Sequence, residues 1–116
     1  MVTTTPRTKD KNGYLILPET FYEKGFNFKQ LFRKGNLALY KKVRDGNPRV
    51  RSFELIVIQK HDAYMLGQTK IEAAETYPSS STWGQFGWTF TTKDVAELRF
   101  NKLLNTTVIF QTQEKN

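Results

Sequence analysis

Eight basic residues between Lys29 and Arg51 are the strongest chemical signal in this sequence. Only one acidic residue, Asp45, lies among them, so eight minus one gives the stretch a net charge of +7, equal to that of the whole chain. A cationic surplus concentrated in one segment is typical of a surface that binds a polyanion, because lysine and arginine neutralise phosphates. A basic hairpin that only faces solvent is the alternative. The candidate phosphate contacts are Lys41, Lys42, Arg44, Arg49 and Arg51.

Aromatic side chains provide the second signal, in the stretch YPSSSTWGQFGWTF at residues 77–90. Trp83 follows four hydroxyl residues, a composition typical of loops, and Phe86 lies on the same glycine-containing bend. A tryptophan exposed in a loop can stack on nucleobases or form a hot spot for a protein partner. Tyr40 is a second candidate for base stacking. The competing interpretation is that Trp83 packs half-buried against the core.

Residues that could perform catalysis are too few and too scattered to form a site. His61 is the only histidine and follows a strand beside Asp62, a position more typical of a surface or capping residue. Ser79 to Ser81 have no base placed near them, and Glu72 with Glu75 are too few ligands for a metal ion. We therefore expect a non-enzymatic protein without metal or cofactor.

Length and composition limit the architecture and the compartment. A chain of 116 residues with 38% hydrophobic residues can build one domain core, and 14% aromatic residues supply large buried rings. The absence of cysteine fits a reducing compartment. The longest aliphatic run is far too short for a bilayer and the N-terminus lacks an apolar signal segment. We expect a cytoplasmic protein, neither secreted nor bound to a membrane.

A long hairpin is the clearest structural element. NLALYKKVR, DGNP and RVRSFELIVIQK read as strand, turn and strand, because Asp45 and Gly46 suit the positive φ angles of a tight turn. Phe53 and Leu55 alternate with Ile56 in the second strand, which predicts a central strand buried on both sides. The basic residues should gather at the turn end of this hairpin.

Weaker patterns predict the remaining elements. YLIL at 14–17 is a short strand, residues 26–36 form one or two helical turns closed by Gly35, and a strand near 71–77 follows a loop around Gly67. A capping box of Thr91 and Asp94 starts a helix that ends at Asn105 and is followed by a last edge strand at 106–110. The apolar stripe of this helix, with the two aromatic residues expected to pack against it, comprises Ala96, Phe100, Leu103 and Leu104 with Trp88 and Phe90.

These elements predict an α+β fold with a small antiparallel sheet of four to five strands and one main C-terminal amphipathic helix packed on it. Residues 1–13 are expected to be a flexible basic arm and residues 14–112 a single domain. Residues 113–116 are a polar tail.

Part of the sequence resembles a known family. LFRKGNLALYKK, then YPSSSTWGQFGWTF and the helix with its spaced Ala96 and Phe100, resemble small tailed-bacteriophage proteins that have no established activity, over residues 31–104. The resemblance implies an accessory or structural role in a host cytoplasm. A looser similarity is to the WGR domain, a DNA-end-contacting module of poly(ADP-ribose) polymerases. Trp83, Gly84 and Gly87 match its signature, and Gln85 replaces the expected arginine.

Two functions remain open at this point. The first is sequence-nonspecific binding of nucleic acid through the basic hairpin end, with Tyr40 or Trp83 stacking on bases. The second is a protein interaction module, either a virion component or an inhibitor of a host protein. In that case the basic end meets an acidic protein surface, and Trp83 with Phe86 forms the apolar hot spot.

Overall fold

A five-stranded antiparallel sheet forms the centre of the computed structural model, which describes the backbone of residues 7–114 and the side chains of residues 7–105. Its strands are, in spatial order, β1 (Thr20–Glu23), β2 (Phe26–Lys34), β3 (Leu37–Arg44), β4 (Asn47–Val57) and β9 (Gly87–Phe90). The remaining elements are β5 (Gln59–His61), β6 (Tyr64–Leu66), β7 (Thr69–Ile71), β8 (Ala74–Thr76), a 3-10 turn (Ser80–Thr82) and α1 (Lys93–Glu114). The predicted α+β fold is confirmed.

The β3–β4 hairpin is confirmed and supplies the two central strands. Leu37 lies opposite Val57 at one end, and the turn at Asp45 and Gly46, with φ of 80° at the glycine, closes the other. Positive φ is cheap for glycine, so Gly46 suits this turn. The register shifts beyond Val43, and residues 48–50 form a bulge near the turn.

Each face of the sheet carries its own apolar cluster, because successive side chains of a strand point to opposite faces. On one face, Ala38 and Ile56 pack with Phe28; we call this the groove face. On the other, Leu39 and Leu55 pack beneath α1; we call this the helix face. Both clusters include fully buried residues of β3 and β4, so these two strands carry the packing of the whole domain.

Helix α1 packs through the predicted stripe, in which Ala96 and Phe100 are buried and Leu103 and Leu104 are half-buried. Trp88 and Phe90 pack against the same cluster, which confirms their assignment to the core. The start of the helix is one residue later than the capping box predicted. Thr92, rather than Thr91, accepts the N–H of Val95 at its Oγ1, over 3.4 Å.

The predicted end of this helix is wrong. The helix does not end at Asn105 but continues to Glu114, so the strand expected at 106–110 does not form. The β-branched residues of that segment have only a weak preference for strands, and a helix that has been nucleated extends at little cost.

The helical turn predicted at 26–36 is also wrong, because these residues form β2 and its turn. The helix-like spacing arises from an irregularity in the strand, where the register shifts between Gln30 and Phe32. Because of this bulge, Phe28 and Phe32 point to opposite faces of the sheet. Phe28 belongs to the groove-face cluster, and Phe32 packs on Phe100 with ring centroids 6.0 Å apart. Gly35, with φ of 60°, lies in the turn that leads to β3.

Residues 59–76 form a two-part ribbon outside the main sheet. Strand β5 pairs with β8, and β6 pairs with β7 around Gly67, so the single strand predicted near 71–77 is divided in two. The predicted strand at 14–17 consists only of bridges from Leu15 to Lys9 and Ala74. Of the predicted N-terminal arm, residues 1–6 lie outside the described residues, and Arg7 donates hydrogen bonds to the carbonyls of residues 15, 16 and 75.

A buried ion pair joins the ribbon to the sheet. Glu75 is 3% exposed and accepts two hydrogen bonds from Arg33, of 2.7 and 2.6 Å, and a third from the backbone N–H of Leu17 at 2.8 Å. The Arg33 guanidinium holds the pKa of Glu75 below its ordinary value. The Glu75 carboxylate therefore links the ribbon to Arg33 of β2 and to Leu17 of the N-terminal segment.

We predict that Glu75→Gln lowers the free energy of unfolding by about 2 kcal/mol at neutral pH, because it removes charge-assisted hydrogen bonds. A carboxylate with a lowered folded-state pKa contributes stability above its ordinary value of 4.5 and loses it as the pH falls through the lowered value. The difference between the two proteins should therefore shrink in urea denaturations below pH 4.5. Glu72→Gln is the control, since its ion pair with Lys9 is exposed, and it should leave stability nearly unchanged.

Candidate functional site

The hairpin places its basic residues on both faces of the sheet. Lys41 lies opposite Phe53, and Arg51 opposite Val43, so both belong to the helix face. Lys42 and Arg44 belong to the groove face, opposite Phe28 and Phe26 of β2. Arg49 is exposed in the bulge near the turn. The predicted cluster therefore shares one end of the hairpin but not one face.

Lys42 is occupied by partners within the groove face. Its Nζ lies 3.5 Å from Oε2 of Glu54 and sits over the rings of Phe26 and Phe28, at 4.5 and 5.6 Å from their centroids. Glu54 is itself buried and accepts the hydroxyl of Tyr77 at 2.7 Å. Lys42 thus neutralises a carboxylate of the protein, which separates it in role from the exposed cations of the hairpin.

The helix face toward the turn presents a basic strip, which we define as Lys29, Lys41, Arg51 and Tyr22. Lys29 of β2 lies directly opposite Lys41 of β3. Arg51 of β4 lies in the next row of the same face. Tyr22 of β1 belongs to this row too, because Tyr22 pairs with Asn27, Asn27 with Val43 and Val43 with Arg51. Among the described residues, no carboxylate lies within ion-pair distance of the three cations.

Two members of this strip were not among the residues selected from the sequence. Lys29 lies within the basic stretch but outside the hairpin, and Tyr22 lies on the edge strand, 39% exposed. The signal that identifies both is the pairing of β1, β2 and β3, because residues directly opposite one another project from the same face. That pairing was hidden by the mistaken helical turn at 26–36.

Tyr40 was wrongly predicted to stack on a ligand. Its side chain is fully buried, and its hydroxyl donates to the carbonyl of Pro18 at 2.7 Å and accepts from Gln30 at 3.0 Å. Burial raises the pKa of Tyr40 to about 12. Strand alternation places it among the groove-face residues beside Ala38, although its neighbour Lys41 is on the opposite face.

Trp83 packs half-buried against the groove-face cluster. Its Nε1 donates to Oγ1 of Thr89 at 2.9 Å, and its ring stacks on Tyr77 with centroids 6.4 Å apart. Gly87 lies under the ring, where an added Cβ would come within 2.3 Å of a ring carbon. Phe86 is also half-buried, and its carbonyl accepts the N–H of Val57 at 2.8 Å. Trp83 therefore serves mainly in packing, whereas Phe86 is held beside β4 by its backbone.

A groove of about 990 Å³ lies beside Trp83, on the groove face. We call it the aromatic groove. Lys42, Glu54 and Tyr77, whose contacts are described above, line this groove, together with Ser79 and Ser80. Its aromatic walls are Phe21, Phe26, Phe28, Tyr77 and Trp83.

The polar residues considered for catalysis have separate partners, and Glu75 among them is buried against Arg33. His61 contacts the carbonyl of Asp62 through Nδ1 at 2.9 Å, and Glu72 pairs with Lys9. Ser79 and Ser81 exchange a hydrogen bond of 2.8 Å with each other rather than with a base. Within the described part of the chain, no group of three or more acidic or histidine side chains could hold a metal ion.

Comparison with known proteins identifies no family for this chain. No protein-family model, no curated protein and no solved structure matches it. The similarities to tailed-phage proteins and to the WGR domain therefore stay predictions. Within residues 7–114, no helix combines the length and apolar character needed to cross a lipid bilayer.

We predict that Gly87→Ala destabilises the protein by about 1–3 kcal/mol, because the new methyl group collides with the Trp83 ring. Introduced into a Trp83→Ala background, the same substitution should cost far less, since the obstructing ring is gone. Urea denaturation of the four proteins measures this coupling. An equal cost in both backgrounds would contradict the packing role of the Trp83 ring.

Proposed function

We propose that this protein is a non-enzymatic nucleic-acid-binding protein that contacts phosphates through the basic strip, without strong sequence preference. The observation that carries the proposal is the pair Lys29 and Lys41, directly opposite on adjacent strands, with Arg51 in the next row and, among the described residues, no carboxylate within ion-pair distance. Phosphate oxygens are the ligands that such a row of cations fits best.

The lysine pair supports a binding role because it is unfavourable for the fold. Residues directly opposite on antiparallel strands have Cβ atoms about 5 Å apart, and like charges at that position destabilise the sheet. Two other cations of the sheet are paired with buried carboxylates, Arg33 with Glu75 and Lys42 with Glu54. An anionic ligand would relieve the repulsion between Lys29 and Lys41.

Tyr22 and the two arginines near the turn extend the surface. Tyr22 is exposed on the same face, where its ring can stack on an unpaired base, an interaction that tolerates every base type. Arg44 and Arg49 are exposed at the hairpin end and can follow a phosphate backbone around it. This combination of cations and one exposed ring favours single-stranded nucleic acid.

The second candidate is a protein interaction module that uses the same cations on an acidic protein surface. The exposed Val50, between Arg49 and Arg51, favours this candidate, because protein interfaces combine apolar contact with arginine. The absence of cysteine and the resemblance to tailed-phage proteins support an accessory role in a host cytoplasm for either candidate.

We predict a steep salt dependence of nucleic-acid binding. If five cations, Lys29, Lys41, Arg44, Arg49 and Arg51, each contact a phosphate, the slope of log affinity against log salt is about −3.5 for single strands and −4.5 for duplexes. Fluorescence anisotropy with random oligonucleotides over a series of KCl concentrations measures it. Absent binding, or binding insensitive to salt, would refute the proposal. A partner protein retained from nuclease-treated lysate would then favour the second candidate.

We also predict that Lys29→Gln weakens binding and reduces the salt slope by about 1, while stabilising the fold by about 0.2–1 kcal/mol through loss of the repulsion with Lys41. Anisotropy titrations and urea denaturation measure the two effects on the same sample. Lys34→Gln is the matched control, since it removes a lysine of the same strand at its opposite end, beside Leu37. Lys34→Gln should change neither the affinity with its salt slope nor the free energy of unfolding. Loss of stability in Lys29→Gln would oppose the proposed role of the lysine pair.

A further inference from the structure

The β6–β7 hairpin presents an apolar tip that the domain does not cover. Tyr64, Met65 and Leu66 are consecutive and 49%, 62% and 66% exposed. Three exposed apolar residues in a row are unusual unless they serve a function. The two strands pair regularly only with each other in the described structure, and a two-stranded hairpin alone is marginally stable in water. These features indicate a segment that becomes buried against a partner.

The aromatic groove has the complementary surface. Its walls are aromatic rings, against which leucine and the polarisable sulfur of methionine pack favourably. The charges that line it are balanced, three acidic against three basic residues. Most are already paired: Lys42 with Glu54, Glu75 with Arg33, and Arg7 with backbone carbonyls. Such a groove suits an uncharged occupant, and residues 64–69, YMLGQT, contain no charged residue. The first charge of the hairpin is Lys70, opposite Met65.

We propose that the β6–β7 hairpin of one copy of this chain inserts its apolar tip into the aromatic groove of a second copy, in a reciprocal exchange. The position of the two features favours closure into a dimer. The ribbon that carries the hairpin ends at β8, and the next residues, Tyr77 and Pro78, line the groove. The apolar tip lies at the opposite end of this ribbon, so the ribbon can extend from the groove side of one copy toward a second copy, and a two-fold axis makes the exchange reciprocal.

The exchange uses a different face of the sheet from the basic strip and has the opposite salt dependence. Each copy carries a net charge of +7, so the two copies repel each other, and salt screens this repulsion while the apolar contact persists. Self-association should therefore hold or strengthen as salt rises, whereas phosphate binding weakens. Measured without nucleic acid, the mass in solution reports on this proposal alone.

Light scattering coupled to size-exclusion chromatography provides the test. Over a concentration series, the wild-type mass should rise from the chain mass of 13.5 kDa to twice that value. Leu66→Lys should raise the dissociation constant of the dimer by about tenfold or more for each hairpin–groove contact, because a leucine that the dimer buries is replaced by a charge. Leu98→Lys is the matched control, as Leu98 is 71% exposed on α1 and should leave the dimer intact.

A second variant tests the groove without disturbing the core. Ser80 is exposed and lines the groove, so Ser80→Trp should fill it and abolish the dimer. Ser81→Trp adds the same ring at an exposed neighbour outside the groove lining and should not. Circular dichroism shows whether each variant keeps its fold.

Mixing the two deficient variants gives the decisive result. The Leu66→Lys protein retains an open groove and the Ser80→Trp protein retains an intact tip, so the mixture should form a dimer with one of the two contacts restored. Non-specific association of apolar surface would show no such rescue. A wild-type protein that stays monomeric throughout the series, a dimer that survives both variants, or a mixture without rescue would each overturn the proposal.

Discussion

Side chains alternate between the two faces of the β3–β4 hairpin, and both faces of the main sheet depend on that alternation. The turn at Asp45 and Gly46, together with the bulge at residues 48–50, sets which residues lie opposite one another. A shift of one residue would exchange the faces, burying Lys41 and exposing Tyr40. The two apolar clusters, one under α1 and one beside the aromatic groove, therefore depend on a single register.

Within the described part of the sheet, two cations are paired within the fold, and others are not. On the groove face, Arg33 and Lys42 each meet a buried carboxylate, so their charges serve the fold. On the helix face, Lys29 and Lys41 stand opposite each other without such compensation. The cations that support a binding role are those that the fold leaves uncompensated, and their number is smaller than the charge count of the stretch suggests.

Aromatic residues show the same division of roles. Most rings near the groove pack edge to face or stack on one another, as Phe21 and Phe28 do with centroids 4.5 Å apart. Trp83 belongs to this packing, and Gly87 beneath it leaves the space that the ring occupies. If the β6–β7 hairpin of a second copy fills the groove, the basic strip of each copy stays open on the other face. A dimer would then present two strips, which strengthens binding to one long strand.

The sequence by itself determined the fold class, the β3–β4 hairpin and the apolar stripe of α1, because turn chemistry and hydrophobic periodicity are local properties. It misled at residues 26–36, where a β-bulge imitates helical spacing, and at 106–110, where helix extension outweighs strand propensity. The composition of the basic strip was decided only by the tertiary structure. Lys29, Lys41 and Tyr22 lie on three different strands, and the pairing of those strands alone brings them to one face.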